Sequence, residues 1–251
     1  MKMKTIGVIP ARYASTRFAA KVLADICGKP MIQHVWERAR QSRKLDDLVI
    51  ACDDERIMAA AKTFGARAIL TSSEHRSGSD RIAEAVQKLK LTASDIIVNI
   101  QGDEPLIESS LIDALASALA KDKEAPVATA IKPITDPADF KNPNVVKAVI
   151  DYLGYALYFS RAGIPYDRAA GAVAGNAYKH LGIYAYRQGF LLEFTRWPSS
   201  KLEQIEQLEQ LRILEAGYRI KTIVTDVETI GVDTQEDLKK VEQLIIIKGN
   251  Q

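Results

Sequence analysis

From Lys4 to Ile100 the chain alternates short apolar runs with helix-compatible segments, and this alternation restricts the fold more than any other feature. Strands are expected at Lys4 to Pro10, Leu48 to Cys52, Ala66 to Leu70 and Asp95 to Ile100. Between them, Pro30 suits the first turn of a helix running to about Ser42. Asp53-Asp54-Glu55 open a second helix that stops at Gly65, and a third runs from about Ser79 to Leu89. Apolar strands joined by helical crossovers read as α/β, a parallel sheet with helices on both faces. Ligands of such sheets bind beyond the carboxyl ends of the strands, so chemistry is expected in the loops that follow them.

The order changes after about Val127. Strand-like stretches at Val127 to Ile131, Val145 to Asp151 and Ala156 to Phe159 crowd together between Pro133, Pro137 and Pro143, and predict antiparallel or mixed additions. Ala162 to Tyr178 is rich in glycine and alanine and reads as a mobile loop or an excursion from the sheet. Ser200 and Glu203 form a capping box for a helix through Leu214 that stops at Gly217, Arg219 to Val224 returns to strand, and Thr234 with Asp237 caps a final helix over Leu238, Val241 and Leu244. With no linker-like composition break, the 251 residues are expected to form one domain, with a mixed β lobe inserted at about 127–200.

The first strand runs into Ile9-Pro10-Ala11-Arg12-Tyr13-Ala14-Ser15-Thr16-Arg17-Phe18-Ala19-Ala20-Lys21. A loop can fold Arg12, Arg17 and Lys21 toward one centre, as a polyphosphate grip requires, although three cations in a loop also suit a solvated surface. The formal charge of +2 lacks the basic excess of a nucleic-acid binder, so these cations have a local purpose. Cys27 and Cys52 have no CxxC spacing, which suits neither a disulfide framework nor structural zinc. The run after Met1-Lys2-Met3-Lys4 is too short for a secretory or membrane segment. A soluble protein of the reducing cytoplasm is expected.

Three more clusters follow strands. Gln101-Gly102-Asp103-Glu104-Pro105 puts Asp103 at the edge of a central strand, suited either to a turn or to a hard oxygen ligand for magnesium. Asp233, in Ile230-Gly231-Val232-Asp233-Thr234, is either a helix-start acid or a second such ligand. Magnesium is held by one or two carboxylates together with phosphate oxygens and water, a count that Asp103 and Asp233 meet. Glu74-His75-Arg76-Ser77-Gly78-Ser79-Asp80-Arg81 is a plain helix entry, but its small residues also let backbone approach a flat base. On a helix from Lys201, Glu209 falls on an apolar face with Leu202, Ile205 and Ile213, so it must face a cavity or pair, for instance with Arg212. His180 alone says little. The chain has no G-x-G-x-x-G after its first strand, no GxxxxGK[ST] and no G-x-S-x-G, which removes the main support for dinucleotide oxidoreductases, P-loop NTPases and serine hydrolases.

Taken in order, Ile9 to Arg17, Gly28-Lys29-Pro30-Met31, Ser77-Gly78 with Asp80-Arg81, Val98 to Pro105, Tyr155 to Arg161, His180 to Tyr184, Leu208 to Arg212 and Gly231 to Thr234 make the chain resemble the 3-deoxy-manno-octulosonate cytidylyltransferases over nearly its whole length. The resemblance implies a Rossmann-like nucleotidyltransferase fold with a mostly parallel central sheet and an inserted smaller mixed lobe that contributes sugar and dimer contacts. It implies a cytoplasmic homodimer that joins CTP and the acid sugar Kdo into CMP-Kdo and pyrophosphate for lipopolysaccharide assembly. No nucleic acid or membrane takes part. By the same resemblance Arg12, Arg17 and Lys21 hold the CTP phosphates, with Pro10, Ala11 and Ser15 beside them. Ser77, Gly78, Asp80 and Arg81 serve the nucleotide, and Asp103 and Asp233 bind Mg2+. Gln101, Arg161, His180, Tyr184, Glu209 and Gln210 meet the sugar.

The chain departs from the family where Pro-Gly usually precedes the loop lysine and Pro follows it. Here Ala19-Ala20-Lys21-Val22 stand instead, and Arg76 replaces a common Gln. An 8-amino Kdo derivative or a sialic acid as acceptor, and a CTP-binding paralogue with impaired activity, are the alternatives.

Overall fold

The computed structural model describes residues 3–14, 18, 20–75, 77–169 and 177–249. Strands β1 (Thr5–Ala11), β4 (Asp47–Cys52), β5 (Arg67–Leu70) and β6 (Ile96–Asn99) pair in parallel in the order β5-β4-β1-β6. A small hairpin, β2 (Asp25–Ile26) and β3 (Lys29–Pro30), precedes helix α1 (Met31–Ala39), and α2 (Glu55–Thr63) and α3 (Gly78–Gln87) follow β4 and β5. The strands and helices agree with the sequence expectation to within a few residues, except the β2–β3 hairpin, to which the sequence reading assigns no element. Alternation along each strand explains the layering. Ile9, Ile50 and Val98 point to the face covered by Val35 and Trp36 of α1 and Ile57 of α2, whereas Val8, Val49 and Ile97 point to the face covered by Ile82 and Val86 of α3.

The second half completes the same nine-stranded sheet. Helix α4 (Ser109–Lys121) packs Leu111, Ile112, Leu115 and Leu119 onto the α1 face, in a stretch to which the sequence reading assigns no element. Strand β7 (Val127–Pro133) pairs in parallel with β11 (Ile220–Val224). Between β7 and β6 lies β10 (Tyr178–Arg187), antiparallel to both. The stretch expected to form a mixed lobe therefore supplies two strands of the central sheet. The short helix α5 (Pro137–Lys141) links β7 to a hairpin of β8 (Lys147–Ile150) and β9 (Ala156–Ser160), which attaches to the start of β10 through Tyr178 and Lys179. Of the expected loop at 162–178, residues 170–176 lie outside those described, and Tyr178 already belongs to β10.

One expected helix is two. After α6 (Gln188–Phe194), the Ser200–Glu203 capping box does start a helix, α7, but it ends at Glu206, and α8 covers Gln210–Glu215. Gln207 between them is left-handed, with φ 54° and ψ 47°. Arg161 stabilises this break by donating from Nε to the Glu206 carbonyl at 2.7 Å and from Nη2 to the Gln207 carbonyl at 3.3 Å. Ile205 is consequently 67% exposed and not part of an apolar face shared with Glu209.

The last helix, α9 (Gln235–Gly249), begins as expected, with the Asp237 carboxylate accepting from Thr234 N and Oγ1 and from Asp233 N. Val241 and Val232 pack with Ile26, Met31 and Leu106 in a small separate cluster that docks this C-terminal segment beside the β2–β3 hairpin. No helix among the described residues is long and apolar enough to cross a membrane.

Candidate active site

A cleft of about 310 Å³ opens where the parallel strands end. Pro10, Ala11 and Arg12 reach it from the end of β1, Ser77, Gly78 and Arg81 from the start of α3, Gln101, Gly102 and Asp103 from the loop after β6, and Asp233 from the segment before α9. Lys21 enters from a short 3-10 turn, Lys21–Leu23, whose Val22 is buried beneath it. Ser15 and Arg17 lie outside the described residues, as do Ala19 and Arg76.

At the centre, Lys21 Nζ donates to Asp103 Oδ2 at 2.7 Å and to Asp233 Oδ1 at 3.1 Å. One ammonium thus spans the two carboxylates read as metal ligands. Their approach is fixed by backbone, because Val232 N donates to the Asp103 carbonyl at 2.9 Å. Gly102 allows the β6 loop to come this close, since a Cβ there would meet the Pro10 carbonyl oxygen at 2.6 Å. Ala20 ahead of the lysine has φ 53° and ψ 28°, the left-handed conformation that glycine adopts without strain. The family's usual glycine is absent, yet the backbone takes the glycine-like turn.

The residues at the wall formed by the start of α3 divide into those that line the cleft and those that support it. Ser77 caps α3, its Oγ accepting from Asp80 N at 3.1 Å while the Asp80 carboxylate accepts from Ser77 N at 3.3 Å. Asp80 therefore serves the helix start and does not line the cleft, whereas the helix amino terminus it orders faces the cleft and favours negative charge. Arg81 lines the cleft from below but is nearly buried, donating to Thr71 Oγ1 at 2.7 Å and to Asp53 Oδ2 at 2.9 Å. Sequence reasoning assigns no role to His75, which lines the cleft and is fastened through Nε2 to Glu84 Oε2 at 2.5 Å, or to Asp53. The nine-residue separation of His75 and Glu84 carries no periodic signal.

Of the six residues assigned to the sugar by resemblance, only Gln101 lines this cleft, and its Nε2 donates to the Gly182 carbonyl at 2.7 Å. Three others gather beside it. Glu209 Oε2 accepts from Ser79 Oγ at 2.8 Å, next to the cleft residue Gly78, and its Oε1 accepts from Arg212 at 3.0 Å. Tyr184 stands in an aromatic column, 5.3 Å from His180 and 5.6 Å from Tyr186 between ring centres. His180 bonds Thr129 Oγ1 at 2.8 Å, and desolvation pushes its pKa down to about 3, so the ring is neutral. Burial raises the Glu209 carboxyl above its ordinary range, against the lowering influence of Ser79 and Arg212. Gln210 is buried, with its Nε2 unpaired. Arg161 is committed to the α7–α8 break and to the Pro143 carbonyl, and so supports the Glu209 segment from behind.

Asp103 is followed by Glu104, whose carboxyl is pushed up to about 8 by burial and by the neighbouring Asp103 charge. No cluster of three or more His, Cys, Asp or Glu suited to a metal occurs among the described residues. Asp103 and Asp233 nevertheless fit a magnesium ion, because both already converge on one cationic centre and leave its other coordination positions to phosphate oxygens and water.

A mostly parallel sheet in which β9 and β10 run in reverse, a basic loop after β1 and two acids that meet at one lysine define a nucleotidyltransferase architecture. Residues 6–223 match the family described as Cytidylyltransferase, and the chain belongs to it. It is 52% identical over 239 residues to the 3-deoxy-manno-octulosonate cytidylyltransferase of Syntrophobacter fumaroxidans, covering 95% of this chain and 96% of that one. The enzyme of the same name from Geotalea uraniireducens is 51% identical, covering 95% and 98%. Among solved structures, CMP:2-keto-3-deoxy-manno-octonic acid synthetase complexed with CTP superposes with a TM-score of 0.92 at 43% identity, covering 98% of this chain and 99% of that chain.

Proposed function

We propose that this chain joins CTP and Kdo to give CMP-Kdo and pyrophosphate, the activated sugar used in lipopolysaccharide assembly. The observation that carries this reading is the convergence of Lys21 on Asp103 and Asp233 in a cleft walled by the β1 loop and the amino terminus of α3. The likeness to a synthetase complexed with CTP supports the nucleotide, and the relatives' names support the acceptor.

In this reading the triphosphate lies along Pro10, Ala11 and Arg12, with Ser15, Arg17 and Lys21 on its phosphates, and cytosine rests against Ser77 and Gly78. Gln101, Tyr184, Glu209 and Gln210 orient the acid sugar, His180 acts through its contact with Tyr184, and Arg161 holds their segment in place. Asp80 and Arg81 position the nucleotide wall. The anomeric hydroxyl of Kdo attacks the α-phosphorus in line, the bond to the β-phosphate oxygen breaks, and the hydroxyl proton passes to solvent. Arg12, Arg17 and Lys21 stabilise charge on the departing pyrophosphate. Asp103 and Asp233 would hold magnesium, which would supply charge neutralisation and lower the pKa of the attacking hydroxyl. No side chain forms a covalent bond to phosphorus.

The enzyme works in the cytoplasm as a homodimer joined through the β8–β9 hairpin. Supporting this, Leu157 on β9 is 61% exposed and Leu153 in the adjoining turn is 66% exposed. Pyrophosphate release, measured with four nucleoside triphosphates against Kdo, 8-amino-Kdo and sialic acid, tests the reading. Release confined to CTP with Kdo is expected. Preference for another acid sugar would reassign the acceptor, and CTP binding without release across the panel would mark an impaired paralogue.

A further inference from the structure

The ammonium of Lys21 stands where a divalent cation would bridge Asp103 and Asp233. It lies 2.7 Å from one carboxylate and 3.1 Å from the other, and the lysine side chain is only 12% exposed. Its backbone is anchored: Ala20 is left-handed, Leu23 N donates to the Ala20 carbonyl at 2.8 Å, and Ala24 N donates to the Lys21 carbonyl at 3.0 Å. Val22 is buried beneath the turn. Only the flexible butyl stem is therefore available to move the charge.

A magnesium ion takes carboxylate oxygens at about 2.0–2.1 Å. The ammonium already engages Asp103 Oδ2 and Asp233 Oδ1, and two cations cannot share them without strong repulsion. A nucleoside triphosphate entering the cleft offers the ammonium a denser anion a short side-chain rotation away, since Lys21 lines the same cleft as Arg12 and Gly78. We propose that Lys21 is a resident counter-ion that keeps the Asp103–Asp233 pair closed to divalent metal until the triphosphate draws the ammonium onto its phosphates. The inference rests on the reading of Asp103 and Asp233 as the metal site. It makes metal and nucleotide binding mutually reinforcing, because each favours the same displaced position of one side chain.

The probe is Mn2+ titrated into nucleotide-free protein and followed by the paramagnetic resonance of the free ion. Lys21→Met is expected to bind Mn2+ about tenfold or more tighter than the unsubstituted chain, because the ammonium that stands between the two carboxylates is removed. Lys21→Gln serves as a second neutral variant should Lys21→Met fail to fold by circular dichroism, while Lys21→Arg keeps the weak binding. Mg2+ alone should raise the melting temperature of the neutral variants and leave the unsubstituted chain nearly unmoved. Adding Asp103→Asn to Lys21→Met should return Mn2+ binding to the weak level.

Neutral variants that bind Mn2+ no tighter than the unsubstituted chain would overturn the counter-ion role. If a non-cleavable CTP analogue still brings Asp103-dependent Mn2+ binding in that case, the metal site itself stands. If no Asp103-dependent binding appears with or without the analogue, or if the gain in Lys21→Met survives Asp103→Asn, both readings fall together.

Discussion

Arg81 on α3 and Asp53 after β4 form a nearly buried ion pair at 2.9 Å, and the other Asp53 oxygen accepts from Tyr13 N at 2.8 Å. One carboxylate therefore ties the loop after β1 to the helix whose start lines the cleft. Arg81→Met removes the partner of a carboxylate that is only 9% exposed, and a loss of about 3–5 kcal/mol in urea unfolding is expected. Destabilisation below about 1 kcal/mol would show that the pair is not a structural brace.

Asp103→Asn should lower turnover about a hundredfold or more while leaving the urea midpoint close to that of the unsubstituted enzyme. Lys21→Ala should lower the rate of pyrophosphate release by a similar order, since one charge at the leaving group is lost. Near-normal release by Asp103→Asn at saturating magnesium would reject its metal role. An unchanged rate in Lys21→Ala would reject the lysine's part in leaving-group stabilisation.

Ala20→Gly is expected to stabilise the protein. Relief of about 1–2 kcal/mol of left-handed strain outweighs about 0.5–1 kcal/mol of added chain entropy. The net gain, about 0.5–1 kcal/mol, is readable as a rise in melting temperature. A drop would mean that the φ of 53° at this position carries no strain.

The His180 pKa is pushed from an ordinary 6.5 down to about 3 by desolvation. Between these values the unfolded chain binds a proton that the native ring does not, so stability contributed here is present above pH 6.5 and falls as pH drops toward 3. Because the ring is only half-buried, the loss between pH 6.5 and 5 should be about 1 kcal/mol, less than full linkage gives. His180→Gln should flatten that limb of the urea-derived stability curve, and an unaltered slope would place the acid sensitivity elsewhere.

Leu157→Glu should convert a dimer to a monomer in light scattering, since a charge on a joined apolar face is costly to bury. Unchanged mass at micromolar concentration would move the interface away from β9.

The elements of the first half were legible because buried parallel strands show as unbroken runs such as Ile96 to Val98, punctuated by Gly65 and Pro30. Strand β10 was not. Its pairing with β7 shifts register between Leu181 and Tyr184, and Gly182 with the polar Lys179 and His180 interrupts any alternation. The α7–α8 break was equally hidden, because it depends on Arg161 reaching carbonyls some 45 residues further along the chain. In the site, Lys21, Asp103 and Asp233 are readable as candidates from their residue types and motifs, although Lys21 and Asp233 lie nine or more residues beyond the nearest preceding main-sheet strands, β1 and β11. Their mutual contact joins positions far apart in sequence and follows from Val232 pairing with the Asp103 backbone. Arg81 illustrates the opposite limit: the charge is visible, but its commitment to Thr71 and Asp53 is a matter of burial.

Among the described residues, strand β10 alone links the β5-β4-β1-β6 block to the β7–β11 pair within the sheet. During synthesis, β6 and β7 emerge long before the strand that must lie between them. Until Tyr178 to Arg187 leaves the ribosome, β6 and β7 both lack the strand that lies between them, and β7 also awaits β11, so the nascent chain holds unpaired strand edges that can join neither each other in the native order nor solvent without cost. Translation pauses or premature termination before residue 178 should therefore yield chains that chaperones capture, whereas interruptions after residue 224, when β11 has also emerged to pair with β7, should be far better tolerated.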